Sequence, residues 1–243
     1  MVSATSILRR LPPQLNRKQA LFFDGLRHAV EIAQFAYERL EGTLTDLAIS
    51  DQTSKPEPAT FTSAFVDAWA FVDAVDRFRC LWKLMPGIQI LPPPRNAPMF
   101  RRLNEPIREL RNVADHLAQR ADYVIASGGA ALGVLTWCTF TDNERNAGVS
   151  CALLPGTLVA TTGKLVNPAD EPAQMTKTGR IHLEAGEHRA CLSNILPELE
   201  LRISEIEAQL EIQLSAAGLD GQQAGSDCFI AMTFVLIEPP IAG

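Results

Sequence analysis

The chain has 243 residues, 47% of them hydrophobic, and a formal charge of −6. That length and apolar content suffice for a core without metal or disulfide support, and the acidic balance argues against broad, non-specific binding to nucleic acid. Five widely spaced cysteines (Cys80, Cys138, Cys151, Cys191, Cys228), with no Cys-x-x-Cys pair, read as free thiols in a reducing cytoplasm.

Along the chain, Leu11-Pro12-Pro13-Gln14 interrupts the N-terminal arm after Arg9 and Arg10, so no secretion signal is read there. From about Arg17 to Leu47, Leu21, Phe22, Leu26, Val30, Ile32, Ala33, Phe35, Ala36 and Leu40 predict a first helix with one buried face. A polar link from Ser50 to Pro58 precedes Phe61, Phe65, Trp69, Val72, Val75, Phe78 and Trp82, whose intervals of three and four predict a second helix ending near Pro86-Gly87. The aromatic members of that series are core residues. Pro92-Pro93-Pro94 reads as a rigid connector.

A third long helix is expected to start at Asn104 or Glu105, with Pro106 in its first turn, and to stop at Ser127-Gly128-Gly129. From Gly133 the pattern becomes β-type. Strands are expected at 134–140, 149–154, 157–161 and 180–183, with Asp142 to Gly148 as the first turn. Leu192, Ile195, Leu199, Ile203, Ile206 and Leu210 predict a further helix despite Pro197, and Cys228 to Ile237 is an apolar strand candidate. No apolar run approaches the roughly 20 residues of a membrane span. The expected architecture is α+β: an N-terminal antiparallel helical bundle over 1–129, then a small antiparallel meander with a C-terminal helix and terminal strand over 130–243.

Chemistry concentrates in Arg111-Asn112-Val113-Ala114-Asp115-His116. Between Arg95 and Arg120 six arginines face three acids, reversing the sign of the whole chain. Histidine exchanges protons near neutrality, and arginine offers a fixed charge and forked donors to phosphate. His116 as acid–base group, Arg111 as phosphate stabiliser and Asn112 as orienting amide would cleave RNA without metal by directing a ribose 2′-OH onto the adjacent phosphate. Arg108 and Arg120 are candidate contacts to the RNA backbone. Arg111 and His116 lie about 140° apart on a helical wheel, so a two-fold copy of the helix would help to focus both groups on one cleft. The bland alternative is an Arg111–Asp115 surface pair and an Asn112–His116 polar stripe.

Three long helices with Arg-Asn-x-x-x-His in the third, preceded by Phe71-Val72-Asp73-Ala74-Val75-Asp76-Arg77-Phe78 in the second, resemble the HEPN superfamily of helical bundles over about Arg17 to Ile125. The resemblance implies that Arg111, Asn112 and His116 form a ribonuclease motif. It also implies a homodimer with facing motifs, acting as a toxin, defence effector or RNA-processing enzyme and open to a neutralising protein partner. Ala118 stands where the nucleotidyltransferase-paired toxin branch carries tyrosine. HEPN-like bundles without activity also exist, which leaves a silent dimer that binds a nucleotide, RNA or protein as the alternative. No cofactor or metal is expected. His182 and His188 with Glu184 and Glu187 read as turn residues rather than ligands, and Asp73, Asp76, Arg77 and Arg79 either line the cleft or form a solvated face.

Overall fold

A computed structural model describes residues 2–50, 56–84, 98–119, 121–126, 131–156, 177–219 and 227–233, with backbone alone for 98–104, 123 and 126. The first helix, α1 (Arg17–Ile49), opens on a capping box in which Asn16 Oδ1 accepts from the Lys18 amide at 2.8 Å and the Gln19 side chain accepts from the Asn16 amide. Helix α2 (Pro58–Leu84) returns alongside it. Leu81 lies beside Gly25, where an added Cβ would come within 2.8 Å; Phe71 packs on Tyr37 at 5.8 Å between rings; Asp67 meets Arg39 at 3.3 Å. Descending numbers on α2 against ascending numbers on α1 make the pair antiparallel.

The next helix, α3, runs Pro98–Asp115, and a short α4 covers Ala121–Ala126. Two details differ from expectation. The helix begins at Pro98, a residue suited to a first turn, so Pro106 lies inside it. It also ends at Asp115 and gives way to a turn at His116–Gln119, closed by the Gln119 amide on the His116 carbonyl at 3.0 Å. Neither glycine nor proline marks that break. The bent path lets Leu117 lie against the core and Val124 enter it. The expected stop at residues 127–129 lies outside the described residues.

Four antiparallel strands follow: β1 (Val134–Phe140), β2 (Gly148–Leu153), β3 (Thr178–Ala185) and β4 (His188–Cys191), in the spatial order β2-β1-β3-β4. Asp142 accepts from the amides of Asn146 and Ala147 in the β1–β2 turn, and Gly186, at φ +60°, starts the tight β3–β4 loop. A register shift opposite Trp137 places Arg180 at φ +52°. The strand expected at 157–161 lies outside the described residues.

Helix α5 (Leu192–Ala216) leaves β4 directly and runs antiparallel to α1: Ser193 accepts from Tyr37 Oη at 2.9 Å, and Glu200 accepts from Gln34 at 2.7 Å. The sheet is fastened to α1 by Trp137, whose indole N–H donates to the Leu44 carbonyl at 3.1 Å, and by a hydroxyl chain through Thr45, Thr178 and Thr139. One apolar core thereby takes Phe23 and Leu40 from α1, Phe71 and Phe78 from α2, Ile107 and Leu110 from α3, Leu135 and Leu183 from the sheet, and Ile203 and Leu210 from α5. The architecture is α+β. The tail departs from expectation, since residues 228–233 form no strand and are exposed; 234–237 lie outside the described residues.

Candidate functional site

The apolar stripe of α3 decides where its polar residues go. Ile107, Leu110 and Val113 are buried against α2 and the sheet, which turns Arg108, Arg111, Asn112 and Asp115 toward the half-exposed flank and solvent. His116 keeps the last helical hydrogen bond, its amide donating to the Asn112 carbonyl at 3.3 Å, and its exposed side chain has no polar partner among the described residues. Arg111, Asn112 and His116 thus lie at the solvent-facing end of one helix, next to the negative pole of its dipole, but among the described residues their side chains make no polar contact with one another: Arg111 turns to Asp73 and Asp115, and Asn112 to Glu109.

Arg111 is braced from two sides. Its Nε lies 3.0 Å from Asp73 on α2, and Nη1 lies 2.9 Å from Asp115 one turn on. Asp73 also meets Arg77 at 3.2 Å. Asp73 therefore faces the motif, while Asp76 turns to Arg79 at 2.6 Å. Arg108 is held by Glu105 and Glu109, each at 2.6 Å, and Asn112 donates to the other Glu109 oxygen at 3.3 Å. Those contacts, first Arg108 and then Asn112, hold the Glu109 carboxyl below its ordinary range. Arg120 lies outside the described residues. Among the described residues around the motif, Arg77, Arg79, Arg108 and Arg111 each meet a carboxylate of Asp73, Asp76, Glu105, Glu109 or Asp115; of the six arginines between Arg95 and Arg120, the described side chains are those of Arg108 and Arg111.

The histidines of the β3–β4 hairpin do not converge on a ligand set among the described residues. His182 is half-buried, its Nδ1 lies 2.7 Å from the Arg180 carbonyl, and burial with Arg189 close by pushes it down to about 4. Glu184 is taken by Arg189 at 3.0 Å. Only Asp24, His28 and Asp227 approach one another closely enough to hold a metal ion among the described residues. Arg27 already fills their centre, with Nη2 at 2.8 Å from Asp24, 2.8 Å from His28 and 2.7 Å from Asp227. A guanidinium there supplies the positive charge a cation would bring and repels one. Burial works against the charge on Arg27, but Asp227, Asp24 and Glu31 more than restore it, and its pKa is raised. Arg27, His28 and Glu31 are one helical turn apart and readable as a polar helix face, but the share of Asp227 in the cluster is not legible in the sequence, because it lies 200 residues from Arg27.

Comparison with family models, curated proteins and solved structures finds no match to this chain.

Proposed function

We propose that the chain is a metal-independent endoribonuclease of HEPN type, acting as a cytoplasmic homodimer. The observation that supports the reading is the exposure of Arg111, Asn112 and His116 within the last two turns at the end of α3, with Asp73 bracing the guanidinium from α2. In this reading His116 takes the proton of a ribose 2′-OH as its oxygen attacks the adjacent phosphorus. Arg111 stabilises the added negative charge, the phosphorus–5′-oxygen bond breaks, and the 5′-oxygen takes a proton from water, giving a 2′,3′-cyclic phosphate and a 5′-hydroxyl while His116 returns its proton to solvent. A phosphate reaches Arg111 by displacing Asp115, an exposed partner whose pairing is worth about 0–1 kcal/mol. Toxin, defence and RNA-processing roles all fit this chemistry, as does a protein partner that covers the motif.

The carboxylates around Arg108 and Arg111 favour a second reading, a silent HEPN-like dimer that binds a nucleotide, RNA or protein through the same surface. Incubating an RNA pool in EDTA with wild-type, His116→Ala and Arg111→Ala proteins decides between them. Loss of cleavage in both variants, with cyclic-phosphate ends from the wild type, is the expected result. An inert wild type would favour the silent dimer, and equal cleavage by all three would exclude the motif as the active site.

A further inference from the structure

The sheet has a second face, turned away from α1. Side chains alternate along a strand, and Trp137 of β1 points to α1, so its neighbour Thr136 lies on the other face. There the register sets three chemically different side chains in one row: Thr136 of β1 is opposite His182 of β3, and His182 is opposite Cys191 of β4. Facing residues of antiparallel strands have Cβ atoms about 4.5–5.5 Å apart, so the imidazole stands between a hydroxyl and a thiol.

Each member of the row is specially placed. Thr136 is fully buried, yet its hydroxyl has no hydrogen-bond partner among the described residues, a deficit that a ligand oxygen in the row would make good. His182 is fixed by the bulge in β3. From His182 to Gly179 that strand advances three positions while β1 advances two, from Thr136 to Cys138, and Arg180 within the longer stretch takes φ +52°, a strained conformation for a residue other than glycine. The Arg180 carbonyl thereby lies 2.7 Å from Nδ1 of His182. A carbonyl oxygen only accepts, so Nδ1 carries the ring proton and Nε2 keeps the lone pair. Burial, with Arg189 close by, pushes the ring down to about 4, which leaves Nε2 unprotonated at neutral pH. Cys191 is partly exposed and forms the N-cap of α5, a helix of 25 residues whose positive pole favours a thiolate.

We propose that Cys191 is a peroxide-reactive thiol, served by His182 and Thr136. The sulfur attacks one oxygen of hydrogen peroxide, its proton passes to Nε2 of His182, and the O–O bond breaks. His182 then hands that proton to the departing oxygen. The sulfur is oxidised to a sulfenic acid, the peroxide is reduced to water, and the imidazole ends as neutral as it began. Thr136 donates its hydroxyl hydrogen bond to the peroxide and so orients it. A fully buried hydroxyl at the end of the row admits only a small polar electrophile, which is why a peroxide suits the site better than a larger substrate. No residue of the α3 motif takes part, so this site and the ribonuclease reading stand or fall separately.

The test exposes the full-length reduced chain at pH 7 to hydrogen peroxide together with dimedone, which labels sulfenic acids, and follows each cysteine by peptide mass spectrometry. Cys191 is expected to take the label about tenfold faster than Cys80 and Cys228, although those two are exposed. Thr136→Val keeps the shape of the side chain and removes its hydroxyl; His182→Gln removes the ring nitrogen that relays the proton. Each should bring Cys191 down to the rate of the exposed thiols or below, while Cys80 and Cys228 react as before. Buried Cys138 reports on the fold by staying unlabelled in both variants. A Cys191 that reacts no faster than Cys80 and Cys228 overturns the proposal. So does a fast Cys191 that neither variant slows, which would leave the helix terminus alone as the source of its reactivity.

Discussion

Trp137→Ala is expected to lower the unfolding free energy by about 3–5 kcal/mol, the usual cost of deleting a large buried aromatic side chain. Trp137 is among the largest fully buried side chains, and it does two things at once. Its ring fills the space between the sheet and α1, and its N–H reaches the Leu44 carbonyl. Trp137→Phe separates these roles: most of the packing stays, the hydrogen bond goes, and the expected loss falls to about 1–2 kcal/mol. Urea unfolding followed by both fluorescence and circular dichroism gives the two values. A loss under 1.5 kcal/mol for the alanine variant would mean that the sheet is not built on α1 as described, as would a sheet that melts separately from the helices.

Acid is expected to destabilise this fold partly through one histidine. His182 is half-buried in strand β3, with Arg189 and Arg180 nearby, and desolvation first and then those charges keep its folded-state value at about 4 against an ordinary 6.5. The folded chain therefore binds fewer protons than the unfolded chain across that window. The sign follows from linkage: the contribution is fully present above pH 6.5 and is lost as pH falls toward 4. With partial exposure allowed for, the gap amounts to about 2–3 kcal/mol. His182→Gln keeps a polar side chain that does not titrate. The difference in stability between wild type and variant should therefore shrink by that amount between pH 7 and 4. Carboxylates elsewhere move both proteins together and leave the difference untouched. Parallel pH curves would show that His182 takes up its proton in the folded state as readily as in the unfolded one.

What the sequence disclosed depended on the distance over which each feature is determined. α1, α2 and α5 carry apolar residues every three or four positions, and β1 lies between a glycine and an aspartate-rich turn, so each element was legible from its own segment, although Leu21, Ile32 and Phe35, read into the buried face of α1, stand exposed. The break after Asp115 was not, because Ala114, Leu117 and Ala118 all favour helix and the turn serves the burial of Leu117 and Val124. Four-residue β4 is too short to show an alternation. The run from Cys228 was read as a strand from its composition, yet what lies around it in space decides whether a strand forms. At the candidate site the motif itself was visible, and Asp73 was left as either a cleft residue or a solvated one. Its contact with Arg111 joins positions 38 residues apart, and no local pattern encodes that.

The Arg27–Asp227 bridge also sets a timetable. Its two residues are 200 positions apart, and at 5–20 residues per second a ribosome needs about 10–40 s to travel from one to the other. Throughout that interval Arg27 has Asp24, His28 and Glu31 of its own helix but not Asp227, and the face of α1 that receives Trp137 and α5 stays uncovered until each of them emerges in turn. The nascent chain thus presents half-covered apolar surface beside an incompletely paired arginine until its last segments emerge. That is the period in which a holding chaperone would find the most to bind.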